Sequence, residues 1–294
     1  INDVYFARDG YLIEKHSGSF STDTAKRNIT YLDNFLKAQA QKYGEDHVKA
    51  MIVPNAVEIL KDKLPDYAVA EEEGNYLREI RTQIPEKLFF DAEPILEAHK
   101  EEPIYYKTDH HWKTLAARYV YEAWADSIDL PIVPISEYRE ETLTEDFHGT
   151  IDAKVNIKIP GDSIECYKPV TEIPYTLTYN HSEERTSLYD DSYLEGRDKY
   201  AVFFGGNQPL IEARTRAVSD RKLLIIKDSY ANCFLSFAMQ DFSQIDIVDL
   251  RYFNENLGDY MKDKDYTDIC VLYNAAGFAE DASVAKLALA TDQQ

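Results

Sequence analysis

Four short apolar runs constrain this chain more than any other feature: residues 48–53, 222–226, 245–250 and 269–273. Each is too short for a buried helix. The first stops at Pro54-Asn55 and the second just before Asp228-Ser229. Strands that are apolar at nearly every position, not every second one, must be covered on both faces, which is the condition of a parallel sheet. Between the runs lie segments with a helical stripe, such as Ile29, Leu32, Phe35, Leu36 and Ala40. Strands alternating with helices predict an α/β fold, a mainly parallel sheet with helices on both faces. Further helices are predicted over 75–84, 94–100, 230–239 and 280–290. Further strands are predicted over 88–91 and over 200–204, the latter ending in Gly205-Gly206-Asn207. Residues 4–7 and 11–13 read as a hairpin around Asp9-Gly10.

A chain of 294 residues fits one large domain of this class, and no repeat or low-complexity tract divides it. The expectation is a single domain over residues 1–294. Between residues 130 and 200 Pro, Thr and Tyr dominate and alternation replaces helical spacing. That stretch reads as a β-rich insertion within the domain, a lid or a substrate platform. Lys+Arg 32 against Asp+Glu 53 gives a net charge of −21, spread over the chain in pairs such as Glu72-Glu73 and Asp190-Asp191. Such a surface favours solubility. It argues against nucleic acid as a partner, because phosphate neutralisation needs clustered Lys and Arg. Cys166, Cys233 and Cys270 have no close spacing, so neither a disulfide framework nor a zinc site is expected. No segment reaches the ~18 apolar residues of a membrane helix. The chain opens at Ile1 without a Met, which reads as a trimmed or processed start.

Two segments carry chemistry. Lys107-Thr108-Asp109-His110-His111-Trp112 puts a carboxylate and an imidazole two residues apart. It precedes a helical stripe of Trp112, Leu115, Ala116, Tyr119, Val120, Ala123 and Trp124, so Thr108 or Asp109 is expected to cap that helix. Lys227-Asp228-Ser229-Tyr230 puts a serine on the turn from an apolar strand into a helix. Serine catalysis needs a nucleophile, a base and a carboxylate that orients the base; Ser229, His111 and Asp109 supply the three types. His110, next to Asp109, points elsewhere. The plainer alternative is a capping Asp and Ser with two solvated histidines. A metal site built from Asp109, His110 and His111, with His148 or His181, is a third reading. No pair of ligands at helical spacing supports it, and adjacent histidines seldom share an ion.

In open α/β sheets ligands bind beyond the carboxyl ends of the strands. Asn55, Asn207, Ser229, Arg251 and Asn274 fall there. The amide of Asn274 and the backbone N–H of Ser229 are candidates to hold an oxyanion. Asn207, Arg251, His110, Trp112 and Tyr230 are candidates to contact substrate. Gly161-Asp162-Ser163 is a decoy: it imitates a lipase nucleophile signature, but no helix starts after it.

The run Asp109-His110-His111-Trp112, followed much later by Ser229-Tyr230, resembles the pattern of the bacterial DHHW protein family. That family is similar to SGNH-hydrolase-like proteins related to alginate O-acetyltransferases. Arg8-Asp9-Gly10-Tyr11-Leu12 and Asp249-Leu250-Arg251-Tyr252 resemble segments of those proteins too. The resemblance implies a flavodoxin-like (SGNH-hydrolase-like) sheet with a circularly permuted motif order, because Asp and His here precede Ser. It maps the oxyanion Asn of that fold onto Asn274. The chain departs from the alginate enzymes at His110, where they carry an uncharged residue, and at Asp228, where they carry Thr.

The expected function is a serine-dependent O-acetyltransferase or acetylesterase acting on a cell-surface or exported polysaccharide. The expected partners are a carbohydrate polymer as acceptor and an acyl donor, supplied in such systems by a membrane acyltransferase. No metal or organic cofactor is implied. The expected location is extracytoplasmic, at the cell envelope, through an N-terminal signal or anchor. The rival is a non-catalytic carbohydrate or cell-wall binding protein on the same fold, since a fold does not guarantee its chemistry.

Overall fold

The computed structural model describes residues 2–291. Along the chain, β1 (Val4–Phe6) and β2 (Leu12–Glu14) form the expected hairpin, with Asp9 and Gly10 both at positive φ in its turn. Helix α1 (Asp23–Tyr43) follows, capped by Thr22, whose hydroxyl accepts from Ala25 N–H at 3.0 Å. Then come β3 (Val48–Val53), α2 (Ala56–Ile59), α3 (Glu72–Gln83), α4 (Glu93–Ala98) and α5 (Thr114–Ser127). The middle of the chain gives β4 (Tyr138–Phe147), α6 (Thr150–Val155), β5 (Asp162–Pro169), β6 (Tyr175–Tyr179) and β7 (Glu183–Arg185). The last third gives β8 (Leu210–Thr215), β9 (Lys222–Lys227), α7 (Ala231–Ala238), β10 (Gln244–Val248), α8 (Leu257–Met261), β11 (Asp268–Asn274) and α9 (Ala275–Glu280).

The central sheet has seven strands in the order β3-β11-β9-β10-β8-β6-β7. The first four are parallel, and β8, β6 and β7 extend them antiparallel, so the sheet is mixed. The four apolar runs of the sequence are these four parallel strands, and their alternate residues separate into two cores. Met51, Leu223, Ile225, Cys270 and Leu272 pack under α5 and α7 with Trp112, Trp124 and Phe234. Ala50, Ile52, Leu224, Ile226 and Val271 pack on the other face against α1, α3 and α9. Truncating Ile225 or Leu224 to Ala should cost ~2–5 kcal/mol, because neither face can collapse without moving a helix layer. The far edge of the sheet, β7, is three residues long.

Four expected elements differ, the first being the helix expected over 280–290, where α9 ends at Glu280 and Ala282–Ala290 is a 3-10 stretch. Residues 200–204 are not a strand: Lys199–Val202 is a 3-10 turn, and Phe204, Gly205 and Gly206 follow at positive φ. The run is apolar because it is buried, not because it is extended. Residues 88–91 contribute a single bridge, Phe89 to Ala50, after a 3-10 turn at Glu86–Leu88. The helix expected from Thr108 or Asp109 starts at Thr114 instead. Its would-be caps are occupied: Thr108 Oγ1 donates to Asp162 at 2.6 Å, and Asp109 accepts from His111. The residues between 130 and 200 provide the separate β4–β5 ribbon and also strands β6 and β7 of the main sheet. The three cysteines are free and buried. Among the described residues no helix is long and apolar enough to cross a membrane.

Candidate active site

Because β3, β9, β10 and β11 run parallel, their carboxyl ends share one edge of the sheet. That geometry puts Asn55, Ser229, Arg251 and Asn274 together. Asn207 joins them from the start of antiparallel β8. A cleft of about 610 Å³ opens there, lined by Ser229, Asp228, Arg251, Asn274, His110 and Thr150, with the β2 end and α9 as its walls.

The histidine segment reaches this edge as a tight loop. Trp112 bridges back to Tyr105, and Lys113 N–H donates to Ile104 C=O at 2.8 Å, so residues 106–111 form the tip. Asp162 fixes its base: its carboxylate accepts from the backbone N–H of Lys107 and of Thr108, and from the Thr108 hydroxyl. At the tip, Asp109 Oδ2 accepts from His111 Nδ1 at 2.5 Å, and His111 Nε2 accepts from Ser229 Oγ at 2.7 Å. The other carboxylate oxygen of Asp109 accepts from the Thr150 N–H at 2.9 Å and the Thr150 hydroxyl at 3.1 Å. Three residues far apart in sequence thus form one hydrogen-bonded line, with its carboxylate saturated.

The line is held from behind by aromatic rings. Tyr200 stacks on the His111 ring, centroids 3.8 Å apart, and its hydroxyl donates to Ser229 C=O at 3.0 Å. Trp112 and Tyr230 are fully buried, so their side chains support the site from below. Trp112 Nε1 donates to Tyr230 C=O at 2.8 Å, and the Tyr230 hydroxyl donates to His110 C=O at 2.6 Å. These bonds tie the serine turn to the histidine loop. His110 lines the cleft with Ser229; its ring lies 3.9 Å from that of His111, and its Nδ1 meets the Thr150 hydroxyl at 2.7 Å.

Close approach explains two glycines. A Cβ on Gly149 would lie 2.2 Å from that of Asp109, so only glycine lets α6 bring Thr150 onto the carboxylate. A Cβ on Gly277 would lie 2.6 Å from Asn274 Nδ2 and 2.9 Å from the Asp228 carboxylate. Asn274 Nδ2 donates to Asp228 at 2.6 Å, while Oδ1 accepts from Asn55 at 2.9 Å and from Gly277 N–H at 2.9 Å. One amide hydrogen of Asn274 remains uncommitted. Among the described residues the Ser229 N–H also meets no protein acceptor.

Electrostatics suit a base. Burial, and the His110 ring beside it, outweigh the Asp109 carboxylate and bring the His111 imidazole down to about 4. His111 is therefore neutral at pH 7, with Nε2 free to accept a proton. Burial pushes Asp109 up, but the two histidines and its hydrogen bonds win and hold it well below the usual carboxylate range. Burial raises Asp228 to about 6 despite Arg251 and the Asn274 and Tyr230 N–H groups. Arg251 binds Asp249 through Nε at 2.9 Å and Nη2 at 2.6 Å. Asn207 accepts from the buried Lys227 at 3.1 Å, which places it behind β9 rather than in the lining of the cleft.

The metal reading has a geometric counterpart, since ligand atoms of Asp109, His110 and His111 lie within 4.8 Å of one another. However, both oxygens of Asp109 and both nitrogens of His111 are already engaged in the bonds above. His148 and His181 pair elsewhere, with Asp152 at 2.9 Å and Glu255 at 2.8 Å. The sequence reading missed Tyr200, Thr150 and Gly149. It treated Asp162 only as a decoy, whereas Asp162 anchors the histidine loop. No local pattern marks Tyr200 or Thr150, because their roles arise from contacts across long chain separations.

The chain belongs to the DHHW protein family, whose profile matches residues 14–248. Its structure is similar to a DHHW family protein from Eubacterium siraeum, at 26% identity over 97% of this chain and 95% of that one, with a TM-score of 0.77. It is also similar to Bacillus cereus PatB1, solved with a sulfonyl adduct, at 18% identity over 96% and 98% of the two chains and a TM-score of 0.75. The O-acetyltransferase domain of Pseudomonas putida AlgJ follows at 14% identity over 97% and 98%, with a TM-score of 0.57. At such identities the last two share the α/β fold. No curated protein matches the chain significantly.

Proposed function

We propose that this protein is a serine-dependent O-acetyltransferase or acetylesterase whose acceptor is a cell-surface or exported polysaccharide. The observation that carries the reading is the continuous line from Asp109 through His111 to Ser229 at 2.5 and 2.7 Å, opening on a cleft. The shared fold with the AlgJ O-acetyltransferase domain supports acetyl as the group transferred.

Ser229 Oγ attacks the carbonyl carbon of the acyl donor while His111 Nε2 takes the hydroxyl proton. Asp109 keeps the other imidazole proton on Nδ1 and stabilises the imidazolium that forms. The Ser229 N–H and the uncommitted Asn274 amide hydrogen hold the oxyanion. The tetrahedral intermediate collapses, the donor's leaving group takes the proton from His111, and acetyl-Ser229 remains. A sugar hydroxyl then gives its proton to His111 and attacks the ester, the bond between the acetyl carbon and Ser229 Oγ breaks, and Ser229 Oγ recovers the proton from His111; water can replace the sugar. Transfer and hydrolysis share the first half-reaction.

Intact mass after incubation with p-nitrophenyl acetate or an aryl sulfonyl fluoride tests the reading. One adduct on wild type, absent from Ser229→Ala, is the expected result. A folded wild-type protein that takes up neither reagent would leave a carbohydrate-binding protein on this fold.

A further inference from the structure

Gln240 lies just beyond α7, at the opposite end of that helix from Ser229. Its side chain is 7% exposed, yet the amide meets no described hydrogen-bond partner, and its Oε1 is among the buried atoms without one. A buried amide oxygen without a hydrogen bond is costly, so its persistence calls for a partner. The residue borders a cavity of about 350 Å³ between α7 and the region of β5 and β6. Tyr175 and Tyr189, both half-buried, and the more buried Tyr167 form much of the wall. Of its two charged residues, Lys168 pairs with Glu141 at 3.1 Å and lies 5.1 Å over the Tyr189 ring, and Glu172 faces the same space.

We infer that this cavity is a second binding site, separate from the serine cleft, for one neutral sugar unit. A sugar ring offers an apolar C–H face to a tyrosine ring and hydroxyls that both donate and accept. Rotation about the last side-chain bond of Gln240 presents either end of the amide, and a hydroxyl satisfies either. An anionic ligand would find no free cation and would meet Glu172, and a purely apolar one would leave the Gln240 oxygen unpaired. The cavity shares no lining residue with the serine cleft, so the inference stands whether or not Ser229 is a nucleophile. If it is, a polymer held here has a raised local concentration at the cleft.

Isothermal titration of the whole protein with cellotriose and with triacetylchitotriose tests this. Wild type should show saturable binding of at least one trisaccharide, Ser229→Ala should match it, and Gln240→Leu should bind about tenfold more weakly. Tyr189→Ala, which removes a wall without touching α7, should weaken binding too, and it carries the test if Gln240→Leu does not fold. No saturable binding to wild type, binding that survives both substitutions, or binding lost in Ser229→Ala would overturn the inference.

Discussion

The two ends of α7 are built in opposite ways. At the Ser229 end, the polar side chains of the hydrogen-bonded line are engaged: Asp109 is saturated, His111 is bonded at both nitrogens, and Asn274 is held by Asp228. At the Gln240 end, the buried Oε1 has no partner among the described residues. Chemistry requires groups held in position before substrate arrives, because reorganisation during the reaction would raise the barrier. Binding can leave a group waiting, because the ligand itself completes it. The contrast therefore separates a preorganised site from a receptive one within a single helix length, roughly 12 Å for eight residues.

Substitutions can break that contrast, beginning at the organised end. Ser229→Ala and His111→Ala should each slow p-nitrophenolate release from p-nitrophenyl acetate by on the order of 10⁶-fold relative to wild type. Asp109→Asn should cost about 10⁴-fold, because the amide cannot hold the same His111 tautomer. Gly149→Ala touches no reacting atom, but its methyl would collide with Asp109; a rate loss of about 10²-fold is expected with the overall fold retained by circular dichroism. Full activity in Gly149→Ala would show that the carboxylate tolerates displacement.

The pH profile sharpens the same point with a smaller effect. His111 must be neutral to accept the serine proton, and it titrates at about 4, so the rate should fall only as pH approaches 4. A histidine at its ordinary value of about 6.5 would lose activity two units earlier. His110 lowers His111 by charge repulsion, so His110→Asn should move the acid limb upward. Stability follows the same sign. Below about 6.5 the unfolded chain binds a proton at His111 that the folded chain refuses until about 4, so stability present above pH 6.5 declines across that window. Because Asp228, raised to about 6, contributes with the opposite sign, the check is the difference: a melting temperature that changes identically with pH in wild type and His111→Asn between pH 7 and 4 would contradict this. The smallest effect is at the other end of α7: Gln240→Leu should leave acylation of Ser229 by p-nitrophenyl acetate unchanged.

Much of this was legible in the amino-acid order. The four parallel strands were visible because two-sided burial writes itself as unbroken apolar runs. Ser229, His111 and Asp109 were visible because their spacing and strand-end positions carry chemical meaning. Trp112 and Tyr230 were seen as notable, but sequence cannot distinguish a ring that faces a cleft from one that supports it. The 200–204 run misled because apolar character reports burial, and a 3-10 turn followed by three residues at positive φ can be buried as well as a strand. Tyr200, Thr150 and Asp162 act across 29 to 54 residues of chain, where no periodic signal survives.

The short last strand of the sheet has a consequence of its own. β7 is Glu183-Glu184-Arg185, and exposed sheet edges invite other chains to add a strand. Three charged residues at so brief an edge offer little to pair with. At the opposite edge, Phe89 bridges Ala50 of β3 and occupies part of that template. Both ends of the sheet are thus poor starting points for strand-by-strand aggregation.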